Sequence, residues 1–307
     1  MISLVGYTGF VGSNLAQEGK FTSFYNSKDI DNAFGTNPDL LVYSGVRAEK
    51  YLANQDPEQD YYAIKTAFDN IKKINPKRLV LISTIDVYKK PVGVNENTQV
   101  EIDNLQPYGL NRYYLEKWVE ESFEDSLIIR LPGLYGKNIK KNFIYDLIYV
   151  IPQMLRENKY AELYDKNPSI SEYYINLNNG FYKCRELSKS ERIFLKECFN
   201  NMGFSALNFT DSRGSFQFYN LKYLWEHINI AINEKIHKLN IATEPVTIEE
   251  LYRTVKNGEF INKIAVDIPN YNFKSIYADS FNGSDGYIFN KSFLLNDIKN
   301  FVEGYHI

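Results

Sequence analysis

The chain has 307 residues, 44% of them hydrophobic and 15% aromatic, enough apolar material to bury roughly three quarters of the unfolded surface in one or two cores. Lysine and arginine total 35 against 38 aspartates and glutamates, a formal net charge of -3, and no basic block stands out to track a phosphate backbone, so nucleic acid is not an expected partner. Neither a charged leader with an apolar segment nor a run of about 18 apolar residues is present, which predicts a soluble, cytoplasmic protein without a membrane partner.

Residues 1–5 are mostly apolar and closed by glycine, the pattern of a strand buried on both faces of a parallel sheet. Gly6, Gly9 and Gly12 follow at a spacing of three, and residues 13–19 supply about two helical turns ending at a glycine. A pyrophosphate reaches backbone N–H groups at a helix N-terminus where no Cβ intervenes, and the helix dipole favours its charge. Gly6, Thr8, Gly9, Phe10, Val11 and Gly12 are therefore the candidate dinucleotide cradle.

Residues 21–25 predict a second strand ending at Asn26, Ser27 and Lys28. An acid at such a tip suits a ribose 2′-hydroxyl, whereas a cation suits a 2′-phosphate. Here the tip has no acid, Asp29 comes one step later, and Ser27 and Lys28 suit a phosphate, so NADP is favoured over NAD. Residues 39–45 predict a third buried strand, whose small closing residues Ser44 and Gly45 let a cofactor pass. A helix over 57–74 and an apolar strand over 77–82 continue an alternation that predicts an α/β protein with a doubly wound parallel sheet.

That strand closes in Ser83-Thr84-Ile85-Asp86-Val87-Tyr88. Further on, Pro107 suits the first turn of a helix on which Tyr108 and Arg112, four apart, share one face. Later strands are expected at 127–131, 215–219 and 238–242, and helices at 143–157, 188–200, 247–256 and 291–302. Cys184 and Cys198 lack a paired-cysteine motif, and His227, His237 and His306 lie far apart, so no disulfide framework and no metal site is expected.

Taken in order, Gly6-x-x-Gly9-x-x-Gly12, Ser83-Thr84-x-x-Val87-Tyr88, Tyr108-Gly-x-x-Arg112 with Glu116, Ile129-Arg130-Leu-Pro-Gly-Leu-Tyr135-Gly136 and Leu239-Asn240-Ile-Ala-Thr-Glu244 resemble the extended short-chain dehydrogenase/reductase family. This is the NAD-dependent epimerase/dehydratase group, which mostly acts on nucleotide-activated sugars, and the resemblance covers most of the chain. It implies a Rossmann-type dinucleotide-binding domain over 1–137 and 205–243 and a smaller substrate domain over 138–204 and 244–307. A homodimer through the helices flanking the tyrosine is implied in the same way.

A tyrosine moves a proton in step with hydride transfer only if positive charge draws its pKa, about 10, towards neutrality. The resemblance gives this role to Tyr108 and places the Thr84 hydroxyl on the substrate oxygen. The family residue four positions later is lysine, which lowers that pKa and binds the nicotinamide ribose; here it is Arg112, planar and bulkier, which keeps the charge and is expected to hold the ribose and tune Tyr108. Tyr113 with Lys117 fits the literal motif, yet it lies about 140° round the helix from Tyr108, and the spacing from Thr84 favours Tyr108. Ser83 reads as structural. Asp86 stands where family dehydratases carry a glutamate, with Ile85 replacing the preceding acid, which argues against dehydration.

Lys140, Lys141 and Asn142 open a helix, and the resemblance puts this neighbourhood against the nucleotide diphosphate, with Arg213 as a second contact. The expected function is an NAD(P)-dependent oxidoreductase of a nucleotide-linked sugar, a 4-keto reductase. The alternatives are an epimerase that retains NAD, or a dinucleotide-binding sensor or scaffold with impaired chemistry, for which Arg112 is the pointing feature.

Overall fold

In the computed structural model, which describes residues 1–305, the chain opens with strand β1 (Ile2–Val5), helix α1 (Phe10–Glu18) and strand β2 (Ser23–Tyr25). Strand β3 (Leu40–Tyr43), helices α2 (Lys50–Gln55) and α3 (Pro57–Ile74) and strand β4 (Leu79–Thr84) come next. Helix α4 (Pro107–Ser122) leads to strands β5 (Ser126–Leu131) and β6 (Gly133–Tyr135). Then follow α5 (Phe143–Tyr149), β7 (Met154–Arg156), α6 (Glu157–Lys166), β8 (Tyr174–Asn176), β9 (Phe181–Cys184) and α7 (Lys189–Asn201). The last third holds β10 (Ser215–Phe216), β11 (Phe218–Asn220), α8 (Leu224–Asn233), β12 (Lys238–Asn240), α9 (Ile248–Lys256) and α10 (Lys291–Glu303).

Two compact units result. Residues 1–139, 215–246 and 270–294 form the first; residues 140–214, 247–269 and those from 295 onward form the second. The segment 270–294, placed with the substrate domain in the sequence reading, belongs here to the sheet unit.

In the first unit six strands make one parallel sheet in the order β2-β1-β3-β4-β5-β12. After β1 the chain places β2 on one side and β3 on the other. The strand order therefore switches between β1 and β3, where open α/β sheets take ligands beyond their carboxyl ends. Alternate strand residues serve opposite faces. Leu4, Val42, Val80 and Ile129 pack with Leu15 of α1 and Leu224 and Ile228 of α8, while Leu41, Leu79, Leu81 and Ile128 pack with Ile64 and Ile71 of α3 and Leu115 and Val119 of α4. Burial on both faces explains why these strands read as continuous apolar runs.

Helix α3 shows why its sequence folds locally. Asp56 accepts from the Gln59 N–H, Pro57 opens the first turn, Glu58 and Asp60 meet the positive end of the dipole, and Lys72 and Lys73 the negative end. Asn75, left-handed at φ 54°, stops it.

Several expected elements have other bounds. Helix α1 begins at Phe10, ahead of residue 13, and Gly19 closes it in an extended conformation (φ -92°, ψ 154°). The helix expected over 143–157 ends at Tyr149, because Val150 turns to φ 64° and Pro152 forbids continuation; β7 and a separate helix α6 occupy the rest. Residues 215–219 do not join the main sheet: β11 pairs in parallel with β6. Helix α2 was not foreseen, since residues 46–55 carry no apolar period.

The second unit contains an antiparallel sheet, β7-β9-β8, with a core of Leu155, Leu163, Tyr174, Cys184, Leu195 and Phe199. Cys184 and Cys198 are buried free thiols. No helix among the described residues is long and apolar enough to cross a membrane.

Candidate functional site

The turn after β1 is built by backbone contact. Gly6 sits at φ 88°, and its N–H donates to the Tyr25 carbonyl at 2.8 Å, while the Gly9 N–H donates to the Gly6 carbonyl at 2.9 Å. A Cβ on Gly12 would lie 2.1 Å from the Gly6 oxygen, so only glycine lets α1 start this close to β1. At Gly9 an added Cβ would meet only the Gly6 oxygen, at 3.3 Å, and the helix start has no side-chain cap. Open space beside uncapped first-turn N–H groups fits a pyrophosphate. Thr8 is exposed, whereas Phe10 and Val11 pack partly into the core.

Around this turn, Ser44 donates its hydroxyl to the Val5 carbonyl at 2.8 Å, tying the ends of β3 and β1 together, with Gly45 beside it. At the tip of β2 the Asn26 N–H donates to Asp29 Oδ1 at 2.6 Å, the Lys28 N–H to Asn26 Oδ1 at 2.8 Å, and Asn26 Nδ2 to the Tyr7 hydroxyl at 3.2 Å. Asp29 is thus turned onto the backbone of its own loop, and Ser27 and Lys28 are exposed.

Two strands along the same edge, β4 delivers Thr84, which shares a hydrogen bond with the Tyr108 hydroxyl and accepts from the Asp86 N–H at 3.2 Å. Tyr108 is buried in the first turn of α4, where its N–H donates to Asn54 Oδ1 at 2.9 Å. A Cβ on Gly109 would lie 2.0 Å from the Asp86 carbonyl, so the start of α4 rests directly on the loop after β4. Thr84, Asp86, Tyr108 and Arg112 are all brought together here. Burial raises the Tyr108 pKa and the Asp86 charge adds to that; the Arg112 and Lys50 charges and the Thr84 hydrogen bond oppose it without reversing it.

Arg112 is 5% exposed, and both terminal nitrogens of its guanidinium are hydrogen-bonded. Its Nη1 donates to Asp60 Oδ2 at 2.5 Å and to the Tyr108 carbonyl at 3.2 Å, and its Nη2 to the Arg47 carbonyl at 2.7 Å. Its guanidinium carbon stands 4.0 Å from the centre of the Tyr108 ring. The arginine therefore holds α4 to α3 and stacks on the tyrosine rather than projecting a free cation. The second tyrosine is resolved by packing: Tyr113 lies partly buried in an apolar cluster, and Lys117 pairs with Glu120 at 2.9 Å near the surface.

Beneath these residues Ser83 donates to Glu116 Oε1 at 2.6 Å, Arg130 forks onto the same carboxylate, and Arg130 Nη1 donates to the Tyr88 hydroxyl at 2.7 Å. Glu116 and Arg130 are each 1% exposed or less, a paired and bonded buried ion pair that locks β4, α4 and β5 together. Ser83 is a structural residue of that network.

A cavity of about 260 Å³ opens at the start of α4, lined by Lys50, Asp86, Tyr88, Gln106, Gly109 and Tyr271. Lys50 Nζ donates to Asp86 Oδ1 at 2.9 Å, and the Tyr271 hydroxyl approaches the same oxygen at 3.5 Å. Lys50, Asp60 and Tyr271 went unnoticed in the sequence, because no local motif marks them and their pairings span 36, 52 and 185 positions.

The remaining candidates lie in the second unit. Asn142, at φ 91°, caps α5 by accepting from the Ile144 and Tyr145 N–H groups at 3.0 and 3.2 Å, with Lys141 beside it. Arg213 bonds Asp211 through Nε and Nη2 at 2.9 and 2.8 Å and stays 38% exposed. In the same unit burial raises Asp146 to about 7. In the first unit burial lowers His227 to about 4, next to the Tyr219 hydroxyl. Among the described residues no group of His, Cys, Asp and Glu could hold a metal; His306 lies outside them.

No family model matches the chain, and no curated protein matches its sequence. Solved structures do. A dTDP-4-dehydrorhamnose reductase from Bacillus anthracis, in complex with NADP, is similar at 14% identity over 99% of both chains, with a TM-score of 0.63. A UDP-glucose 4-epimerase from Thermotoga maritima, with UDP-glucose, matches at 12% identity over 98% of this chain and 97% of its own, TM-score 0.62. A UDP-N-acetylglucosamine 4-epimerase from Methanobrevibacter ruminantium, in complex with UDP-N-acetylmuramic acid, matches at 13% identity over 98% and 96%, TM-score 0.59. The chain shares the fold of these nucleotide-sugar reductases and epimerases.

Proposed function

We propose that the protein is an NAD(P)-dependent oxidoreductase of a nucleotide-linked sugar and that it reduces a 4-keto group. One observation carries the reading: the Tyr108 and Thr84 hydroxyls are hydrogen-bonded at the carboxyl end of β4, on the sheet edge that also carries the glycine turn. A bound nicotinamide cofactor supplies the reducing equivalent. The first-turn N–H groups of α1, opened by Gly9, hold its pyrophosphate, with Ser44 and Gly45 flanking. Tyr108 hands its hydroxyl proton to the substrate oxygen, and Thr84 holds that oxygen by hydrogen bond as charge develops on it.

NADP is the preferred cofactor in this reading. Asp29 is committed to the Asn26 N–H, which leaves Ser27 and Lys28 at the β2 tip for a 2′-phosphate; the similar reductase from Bacillus anthracis is itself a complex with NADP. Lys141, Asn142 and Arg213 are assigned to the nucleotide diphosphate. A homodimer through α3 and α4 is part of the same reading, supported by exposed Tyr61 and Tyr62 and by the stacked Tyr114 and Trp118.

The test is a panel of keto-sugar nucleotides with NADPH and NADH, followed by loss of nicotinamide absorbance. NADPH consumption is expected, cut about 100-fold or more in Tyr108→Phe. No consumption with either cofactor, together with no effect of Tyr108→Phe, sinks the proposal. An epimerase would instead carry NAD through purification and need no external reductant. The pairing of Arg112 with Asp60 favours a further reading, a dinucleotide-binding sensor, which would bind NADPH and turn over nothing.

A further inference from the structure

In the resembled family a lysine on the tyrosine helix supplies charge to the phenol; here the residue at that place is an arginine whose donors are taken by Asp60 and by two backbone carbonyls. The other cation beside Tyr108 comes from a separate helix. Lys50, in the first turn of α2, reaches across the cavity to Asp86 at 2.9 Å, and Asp86 is fixed against the start of α4 by the Gly109 contact. We propose that Lys50 is a positioning residue for Tyr108: by pairing with Asp86 it cancels a carboxylate that otherwise faces the phenol, while the Arg112 charge acts on the ring directly. The proposal deepens the reductase reading and rests on Tyr108 being its proton donor.

From α4 comes Arg112, stacked at 4.0 Å on the Tyr108 ring. From the loop after β4 come Thr84, which bonds the hydroxyl, and Asp86. From α2 comes Lys50, and from the 270–294 segment Tyr271, whose hydroxyl also faces Asp86 at 3.5 Å. Lys89, which lines the cavity too, is turned away to the Asp103 carbonyl at 3.0 Å. From α3 comes Asp60, which is bound to Arg112; among the described residues named here Asp86 is the carboxylate left facing the phenol, and Lys50 is the ammonium that meets it. Burial works against the Lys50 charge, yet the neighbouring Asp86 holds its pKa above the ordinary lysine value, so the ammonium keeps its charge at neutral pH. Removing the ammonium leaves a bare negative charge beside the phenol. Removing both charges leaves the phenol as it was.

The experiment replaces Tyr108 by 2,3,5-trifluorotyrosine, whose acidified phenol titrates within the range where the protein stays folded, and follows the single fluorine-labelled site by NMR. Lys50→Met is expected to raise the titration midpoint by about one pH unit, Asp86→Asn to lower it, and the double variant to return it close to that of the parent. Lys50→Arg is expected to keep the parent midpoint, which separates lost charge from lost folding. An unchanged midpoint in Lys50→Met, or a shift that persists in the double variant, overturns the proposal. NADPH consumption by the unlabelled protein is measured in parallel. If the titrations behave as expected and no keto-sugar nucleotide is reduced, the reductase reading fails while the assignment of Lys50 to Tyr108 stands; if turnover is robust and the alkaline limb of its pH profile ignores Lys50→Met, the assignment fails and the reductase reading stands.

Discussion

Asp60→Ala tests whether Arg112 is a structural cation. Asp60 is 11% exposed and accepts from Arg112 Nη1 at 2.5 Å and from Asn111 Nδ2 at 2.8 Å. Truncation leaves the guanidinium 5% exposed with only the Arg47 and Tyr108 carbonyls as partners, while Asn111 keeps the Pro57 carbonyl at 3.3 Å. An uncompensated buried charge costs about 3–5 kcal/mol. Because Asp60 sits close to the surface and two carbonyls remain, the lower end applies, about 3 kcal/mol. For a chain of 307 residues that is a fall in Tm of about 5 °C. Asp60→Asn, which retains an acceptor and loses the charge, should cost about half as much. The paired change Asp60→Leu with Arg112→Met removes both ions and should recover all but about 1 kcal/mol, since a buried ion pair replaced by apolar groups of similar volume is close to neutral. Urea denaturation of the four proteins at pH 7 measures the set. A loss below about 1 kcal/mol in Asp60→Ala, or a double variant as weak as the single one, would refute the idea that this pair clamps α4 to α3.

Three further outcomes are expected. Gly12→Ala puts a Cβ 2.1 Å from the Gly6 oxygen and 2.9 Å from Ser44 Oγ, so α1 must retreat from β1; a cost of about 1–3 kcal/mol and an NADPH affinity reduced at least about tenfold should appear by calorimetry and fluorescence titration, and parent-like binding would contradict the cradle. Asp146, raised by burial from an ordinary 3.8 to about 7, binds its proton more tightly folded than unfolded, so it costs nothing below about pH 4 and progressively more up to about pH 7, about 4 kcal/mol at most. The Tm advantage of Asp146→Asn over the parent should therefore grow from pH 4 to pH 8, and a constant difference across that range would show the carboxylate to be solvated. Glu96 accepts from the Asn240 N–H at 2.8 Å, the Ser275 hydroxyl at 2.6 Å and the Ile276 N–H at 2.9 Å, so Glu96→Ala should cost about 2 kcal/mol and speed amide exchange at 240 and 276; parent-like exchange there would count against this tether.

What the chain says by itself is local. The apolar runs at 1–5, 39–45 and 77–82, the glycines at 6, 9 and 12 and the proline ahead of Tyr108 each dictate burial, close approach or a helix start within a few residues, and together they were enough to read the parallel sheet and the place of the tyrosine helix. Bounds failed where one residue's conformation decided them, as at Val150. Beyond that reach, pairing is settled by which segments the sheet brings to one edge. Nothing within ten residues of Arg112 announces Asp60, and nothing near Asp86 announces Lys50, because charge partners come from separate helices and leave no periodic trace in the chain. The tertiary structure alone decided that the arginine behind Tyr108 is spent on holding two helices together, since low exposure forces a buried charge onto whichever opposite charge the fold sets beside it, and that the ammonium facing its loop arrives from α2, where Lys50 stays half exposed in its pair with Asp86.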